Sequence, residues 1–182
     1  MRKLILYIAA SLDGYIARTD GSFDWLEHEA FALEGEDYGY SDFMQTIDTT
    51  LMGHSTYKAI LGMDMPFPYT DKTNYVFSRS SHEDTEQVQY VNDDPITFVK
   101  QLQQQPGKDI WLIGGGQLNT LFFNAGMIDE IILTYVPFVL GKGIPLFAPI
   151  ATEQRLQVTE TQNYKNGFVQ LRLSQAGTTG GA

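Results

Sequence analysis

Three consecutive glycines, Gly114, Gly115 and Gly116, stand between the apolar run Ile110–Ile113 and a segment that carries Leu118, Leu121 and Phe122 at helical spacing before Gly126. A strand that ends in bare main chain and feeds a helix presents free N–H groups and the positive end of a helix dipole. That is a site for a phosphate or a diphosphate. The same residues also suit a tight strand-to-helix turn with positive φ and close helix packing, and the sequence leaves both readings open. Two standard phosphate motifs are absent. Asn119 occupies the third glycine position of a dinucleotide fingerprint, and Lys142 lacks the upstream glycine of a phosphate loop.

Other side chains capable of chemistry are sparse. The segment EGEDYGYSD offers Glu34, Glu36, Asp37 and Asp42 near the start of a helical pattern, where a carboxylate commonly serves as a solvated cap. His28, His54 and His82 form no H-x-x-x-H pair and there are no cysteines, so no metal site, thiolate nucleophile or disulfide framework is expected. The isolated GHS at 53–55 is not a hydrolase elbow, and Trp25 and Trp111 read as core. The formal net charge of −10, with only 12 lysines and arginines, argues against nucleic acid as a partner. No window is apolar for long enough to span a bilayer, and the N-terminal apolar stretch meets Asp13-Gly14 too soon for a signal peptide. A cytoplasmic protein with no membrane association is expected.

The elements that must position these residues follow from periodicity. Leu4–Ala10 reads as a buried strand ending at the turn SLDG. Tyr40, Phe43, Met44 and Ile47 then fall on one helical face, followed by a strand TTLMG and a helix STYKAIL with Ser55 as its expected cap. TNYVFS and VQYV read as strands, and Asp94-Pro95 opens a helix carrying Ile96, Val99 and Leu102. After the glycine turn and its helix, EIILTYVPFVL is a strand, and alternating runs around Lys165-Asn166-Gly167 form a hairpin. Strands alternating with helices imply a mainly parallel sheet covered on both faces, in one domain over residues 1–174, with 175–182 as a small polar tail.

Five segments, IAASLDGYIA, TLMGHSTY, VFSRS, LIGGGQL and DEIILTYVPFVLGKGIPLF, occur in an order and spacing that resemble the dihydrofolate reductase-like superfamily, including the reductase domain of the bifunctional riboflavin-biosynthesis deaminase/reductase. The resemblance runs from about Leu4 to Leu173 and implies a three-layer α/β/α fold with a mainly parallel sheet and antiparallel C-terminal strands. It also implies an NADPH-dependent reductase of a small pterin- or pyrimidine-like substrate, for example 5-amino-6-(5-phosphoribosylamino)uracil, assembled as a homodimer. Dihydrofolate reductase proper and a non-catalytic NADP(H)-binding module are the alternatives.

Carried over by motif, the resemblance implies that Gly114, Gly115, Gly116, Gln117 and Leu118 approach the coenzyme diphosphate, joined by Gly53, His54, Ser55 and Thr56. Ser78 and Arg79 would meet the 2′-phosphate, and main-chain groups of Ala10 and Ile16 the nicotinamide carboxamide. Asp13 and Gly14 would shape the first loop, with Asp13 toward substrate. Asp37, by its offset before the Met52-Gly53 strand end, would hold the substrate ring and, part-buried with a raised pKa, supply a proton. Two positions depart from the pattern: His54 stands where arginine is usual, and Tyr7 where the riboflavin branch carries lysine.

Overall fold

The structure is a computed structural model that describes residues 1–175. In chain order it contains β1 (Leu4–Ser11), β2 (Tyr15–Ala17), α1 (Tyr40–Thr46), β3 (Ile47–Gly53), α2 (His54–Leu61), β4 (Thr73–Phe77), β5 (Gln89–Val91) and α3 (Pro95–Gln104). There follow β6 (Asp109–Gly114), α4 (Gly116–Asn124), β7 (Glu130–Val136), β8 (Ile144–Pro145), β9 (Leu156–Asn163) and β10 (Val169–Gln175). Two short 3-10 turns, Asp24–Glu27 and Glu29–Phe31, lie in the segment between β2 and α1.

Strand alternation divides the core into two layers. Leu4, Leu6 and Ala10 of β1 pack with Leu51, Leu112, Leu133 and the buried faces of α3 (Val99, Leu102) and α4 (Phe122, Phe123). Ile5 and Tyr7, pointing the opposite way, pack with Met52, Val76, Trp111 and the faces of α1 (Phe43) and α2 (Tyr57, Ile60). Helices therefore cover both sides of one sheet. Its eight strands run in the order β5-β4-β3-β6-β1-β7-β10-β9. All neighbouring pairs from β5 to β7 are parallel, and β10 joins antiparallel to both β7 and β9. The expected fold class is the observed one.

Local expectations differ in detail. Ile47 begins β3 rather than closing the face of α1, because the helix ends at Thr46, whose hydroxyl bonds back to the Phe43 carbonyl. Leu121 is exposed, since a nine-residue α4 turns Asn119, Thr120, Phe122 and Phe123 toward the protein. The expected tail begins one residue too early: Gln175 still pairs with Leu156, and residues 176–182 lie outside the described residues.

The chain path creates a parting in the sheet. β1 leads through α1 to β3 on one side, whereas β6, its neighbour, leads through α4 to β7 on the other. The β1–β6 ladder accordingly stops at Leu6↔Leu112. β1 continues to Ser11 along β7, and β6 continues to Gly114 along β3. Such a divergence at the carboxyl ends of parallel strands is where open α/β sheets hold ligands.

Candidate active site at the carboxyl ends of the parallel strands

Two helices start beside this parting. α2 follows β3 through Gly53 and α4 follows β6 through Gly115, each glycine being the N-cap residue and neither helix having a side-chain cap. By contrast, Asp94 caps α3 by accepting from the Thr97 N–H at 2.8 Å. The uncapped starts are adjacent. A Cβ built on Gly53 would lie 3.7 Å from the Leu118 side chain and 4.0 Å from the Gly114 carbonyl, and one on Gly115 would lie 3.3 Å from Thr56 Oγ1. First-turn N–H groups of an α-helix have no intrahelical acceptor, so two positive helix ends meet here with no side chain neutralising them. The expectation that Ser55 caps α2 fails for this reason: β3 runs straight into the helix, Gly53 takes the cap position, and Ser55 is an exposed first-turn residue.

The three glycines have different tasks. Gly114 is buried with φ +119, a conformation that side chains other than glycine rarely adopt, and is flanked by Asn119 and Ile8. Gly116 is buried against the main chain of β8, where an added Cβ would fall 2.2 Å from the Pro145 carbonyl oxygen. Only Gly115 of the three is part-exposed, together with Leu118 and the exposed Gln117. The tight-turn reading holds for two members of the run, Gly114 and Gly116, which serve the turn and its packing, whereas Gly115 is the residue that reaches the surface.

Along the sheet edge, Gly53↔Phe77 is the last pair of β3 and β4, so His54 and Ser78 stand one residue beyond adjacent strand ends. Ser78 Oγ accepts from the Ser80 N–H, while Arg79 is exposed and forms no ion pair among the described residues. Ala10 is fully buried opposite Tyr135, and Ile16 is part-buried on β2, which pairs with β8.

Two acidic residues differ from expectation. The Asp13 carboxylate accepts from the Ser11 hydroxyl at 2.6 Å, the Leu140 N–H at 3.0 Å and the Gly141 N–H at 2.7 Å, which ties the β1–β2 turn to the segment after β7. These bonds, the one from Ser11 foremost, hold it below the usual carboxylate range. With its oxygens so engaged it shapes the loop. Asp37 is exposed at the entry to α1, where it accepts from the Gly39 and Ser41 N–H groups at 3.0 Å each. Hydrogen bonds from Ser41 above all, and from Gly39, hold its carboxyl below the ordinary range, opposite to the raised pKa that proton donation requires.

A polar network under the parting had no sequence signal. Tyr7 Oη donates to the Tyr38 carbonyl at 3.0 Å, which also accepts from Gln170 Nε2 at 3.1 Å, and Gln170 Nε2 reaches Thr134 Oγ1 at 3.1 Å. Trp111 Nε1 donates to the Tyr7 carbonyl at 3.0 Å, one residue past the last β1–β6 pair. Tyr7 stacks on Phe43 at 4.6 Å, and burial pushes its phenol up to about 12. The apolar alternation of β1 announces only a strand, because the partners of Tyr7 lie 31 and 104 residues away.

Other features do not compete with this site. A hollow of about 470 Å³ lies at the opposite, amino-terminal edge of the strands, lined by residues that include Asp48, Lys72 and Gln105. Arg2 in its wall is occupied by the Lys108 carbonyl, Asp48 and Thr49. Among the described residues no group of histidine and acidic side chains is arranged to hold a metal, and no helix is long and apolar enough to cross a membrane.

Comparison with known proteins agrees with this fold. A family profile described as RibD C-terminal domain matches residues 2–170. The Bacillus subtilis (strain 168) protein YwjB is 46% identical over 178 residues, covering 96% of this chain and 99% of its own length. The crystal structure of a Shewanella sp. PV-4 protein, proposed there to act in riboflavin biosynthesis, superposes with a TM-score of 0.86 at 28% identity, over 96% of this chain and 99% of that one. Dihydrofolate reductase of Enterococcus faecalis, complexed with NADP(H) and RAB-propyl, superposes with a TM-score of 0.66 over 95% of this chain and 96% of that one. At 15% identity that last likeness is one of fold.

Proposed function

The chain belongs to the RibD C-terminal domain family, and on that premise we propose that it is an NADPH-dependent reductase of a small pterin- or pyrimidine-like heterocycle. The observation that carries this reading is the convergence of the two uncapped helix starts, at Gly53 and Gly115, beside the parting of β1 and β6. The residues fit a dinucleotide. First-turn N–H groups of α2 and α4 bind the diphosphate without a lysine or arginine, which suits a chain with a net charge of −10. Gly115 keeps the space between the helix starts free of a side chain, so the negatively charged bridge approaches main chain directly. Ser78 and Arg79, beyond the end of β4, meet the 2′-phosphate, Arg79 through its exposed guanidinium. Ala10, near the carboxyl end of β1, and Ile16 of β2 stand on either side of the β1–β2 turn, and their main chain orients the carboxamide.

When bound, NADPH supplies a hydride from the nicotinamide ring to a C=N or C=O carbon of the substrate. The protein's task is to bind, orient and exclude water. The Tyr7–Tyr38–Gln170–Thr134 network and the Tyr7, Phe43 and Trp111 rings keep the floor of the parting fixed and largely apolar. The proton that completes the reduction comes from solvent, since both Asp13 and Asp37 are held as carboxylates.

The test is titration of the protein with NADPH and with NADH, followed by NADPH oxidation with dihydrofolate, aminouracil and dicarbonyl substrates. Saturable NADPH binding with turnover of one heterocyclic class is expected. Binding with no turnover of any class would make the protein a coenzyme-binding module, and binding of neither coenzyme would remove the reading.

A further inference from the structure

Beside the α2 start stands a cluster of titratable rings that the reading above does not use. His54, the first residue of α2, stacks on His82 of the β4–β5 loop with ring centroids 4.4 Å apart and planes 20° from parallel. His82 in turn stacks on Tyr90 of β5 at 4.7 Å and 28°. Tyr90 Oη lies 3.2 Å from His54 Nδ1, so with Tyr90 donating there the proton of the neutral ring stands on Nε2. That nitrogen forms no hydrogen bond among the described residues and is left as a donor. His54 is part-exposed and His82 exposed, one residue past the strand end that neighbours Ser78 and close in sequence to Arg79.

We propose that His54 and His82 form a proton-linked clamp for a dianionic phosphate monoester, the 2′-phosphate of the coenzyme, so that NADPH binds with uptake of a proton and NADH does not. The inference rests on the proposed coenzyme site and adds to it a residue, His82, and a mechanism of selectivity.

The argument is electrostatic. Two imidazoles in face-to-face contact repel when both are protonated, and a counter-charge beside them offsets that repulsion. Burial first, then His82 and Lys58, lower the affinity of His54 for a proton. Each of these three disfavours its cationic form. Around the ring, α2 contributes Lys58 and the buried Tyr57, which meets Tyr90 edge-on at 6.2 Å; β5 contributes Tyr90; and the β4–β5 loop contributes His82. The loop acid Asp84 accepts from the Tyr90 N–H at 2.7 Å, and Glu83 and Glu86 are exposed. Among the described residues no carboxylate forms an ion pair with either ring. An arriving dianion reverses the balance by making protonation of the stack favourable, and by linkage the same coupling tightens the phosphate as pH falls.

The experiment is isothermal titration of the full chain with NADPH and with NADH at pH 7.5, in two buffers of different ionisation enthalpy, together with dissociation constants between pH 8 and 6.5. The expected result is net proton uptake with NADPH, none with NADH, and NADPH affinity rising about fivefold to tenfold over that range, since one linked proton contributes up to about tenfold per pH unit. His82→Phe keeps a ring in the stack but removes the titratable nitrogen, and His54→Gln with His82→Phe removes both. The double variant is expected to bind NADPH with no proton uptake and a flat pH dependence. NADPH binding without proton uptake in the unmodified protein, or uptake equal for both coenzymes, overturns the clamp and leaves the coenzyme site standing. Binding of neither overturns both.

Discussion

The division of labour among the three glycines can be tested by giving Gly116 and Gly115 in turn a methyl group. In Gly116→Ala the new Cβ falls 2.2 Å from the Pro145 carbonyl oxygen, so the start of α4 and β8 must separate by about an ångström. The β8 side cannot yield easily. Pro145 is paired with Tyr15, the Leu146 N–H donates to the Gly14 carbonyl at 2.9 Å, and the Leu146 carbonyl accepts from Asn119 Nδ2 at 3.0 Å. Overpacking of this kind costs about 1–3 kcal/mol, here toward the upper end because backbone rather than a flexible side chain must move. Replacing glycine in a helix returns about 0.5–1 kcal/mol. The net loss is about 2 kcal/mol, a fall in Tm of about 4–8 °C for a chain of this size. Gly115→Ala meets only the Thr56 hydroxyl at 3.3 Å, which can rotate, so its Tm should fall by less than half as much. Its methyl enters the space between the two helix starts, and NADPH affinity should drop about tenfold or more. Differential scanning calorimetry and coenzyme fluorescence read the two effects. A Gly116→Ala protein as stable as wild type, or a Gly115→Ala protein that binds NADPH unimpaired, would refute the assignment.

Further predictions follow from the same geometry. Arg79→Ala should weaken NADPH at least tenfold more than NADH in parallel fluorescence titrations; equal losses would detach Arg79 from the 2′-phosphate. Asp37→Asn should leave the rate of NADPH oxidation within about twofold and its pH profile unshifted, because the carboxylate serves the entry to α1; a hundredfold loss of kcat would restore it as the proton donor. Tyr7→Phe keeps the ring stack but removes one hydrogen bond to a carbonyl that Gln170 still satisfies, costing about 1 kcal/mol in urea unfolding. The native Tyr7 phenol should also resist ionisation until pH reaches about 12 in an absorbance titration against Tyr7→Phe. Asp13, Asp37, Asp48 and Asp94 are all lowered in the folded state. Their folded forms bind fewer protons than the unfolded chain, so their contribution is complete above the unfolded carboxylate range and is lost as pH falls through the folded values. Tm should therefore hold from pH 7 to about 5 and fall steeply below about 4.

Much of this architecture is readable from residue pattern because it is local. The alternation in β1, the Asp94-Pro95 cap of α3, and the apolar run before Gly114 each fix an element within a few residues. The meeting of Gly53 with Gly115 also follows, once β3 and β6 are recognised as neighbours. What escapes is set by contacts distant along the chain. Nothing within the Gly114–Gly116 run tells that Gly116 packs on Pro145 while Gly115 reaches the surface. Asp37 sits at the offset expected of a ring-binding acid, but its environment, two N–H donors in solvent, is a property of the α1 entry alone. The pairing of His54 with His82 depends on the course of the β4–β5 loop, which has no periodic signal.

The central claim is that the N–H groups at the starts of α2 and α4 jointly hold the coenzyme diphosphate. Backbone amide chemical shifts of isotope-labelled protein, recorded during NADPH titration, test it most directly. The account predicts saturable, concerted shifts concentrated at residues 54–56 and 115–118, with the amino-terminal edge around Asp48 and Lys108 unchanged. Shifts confined to some other surface, or spread without saturation while these amides stay still, would contradict it.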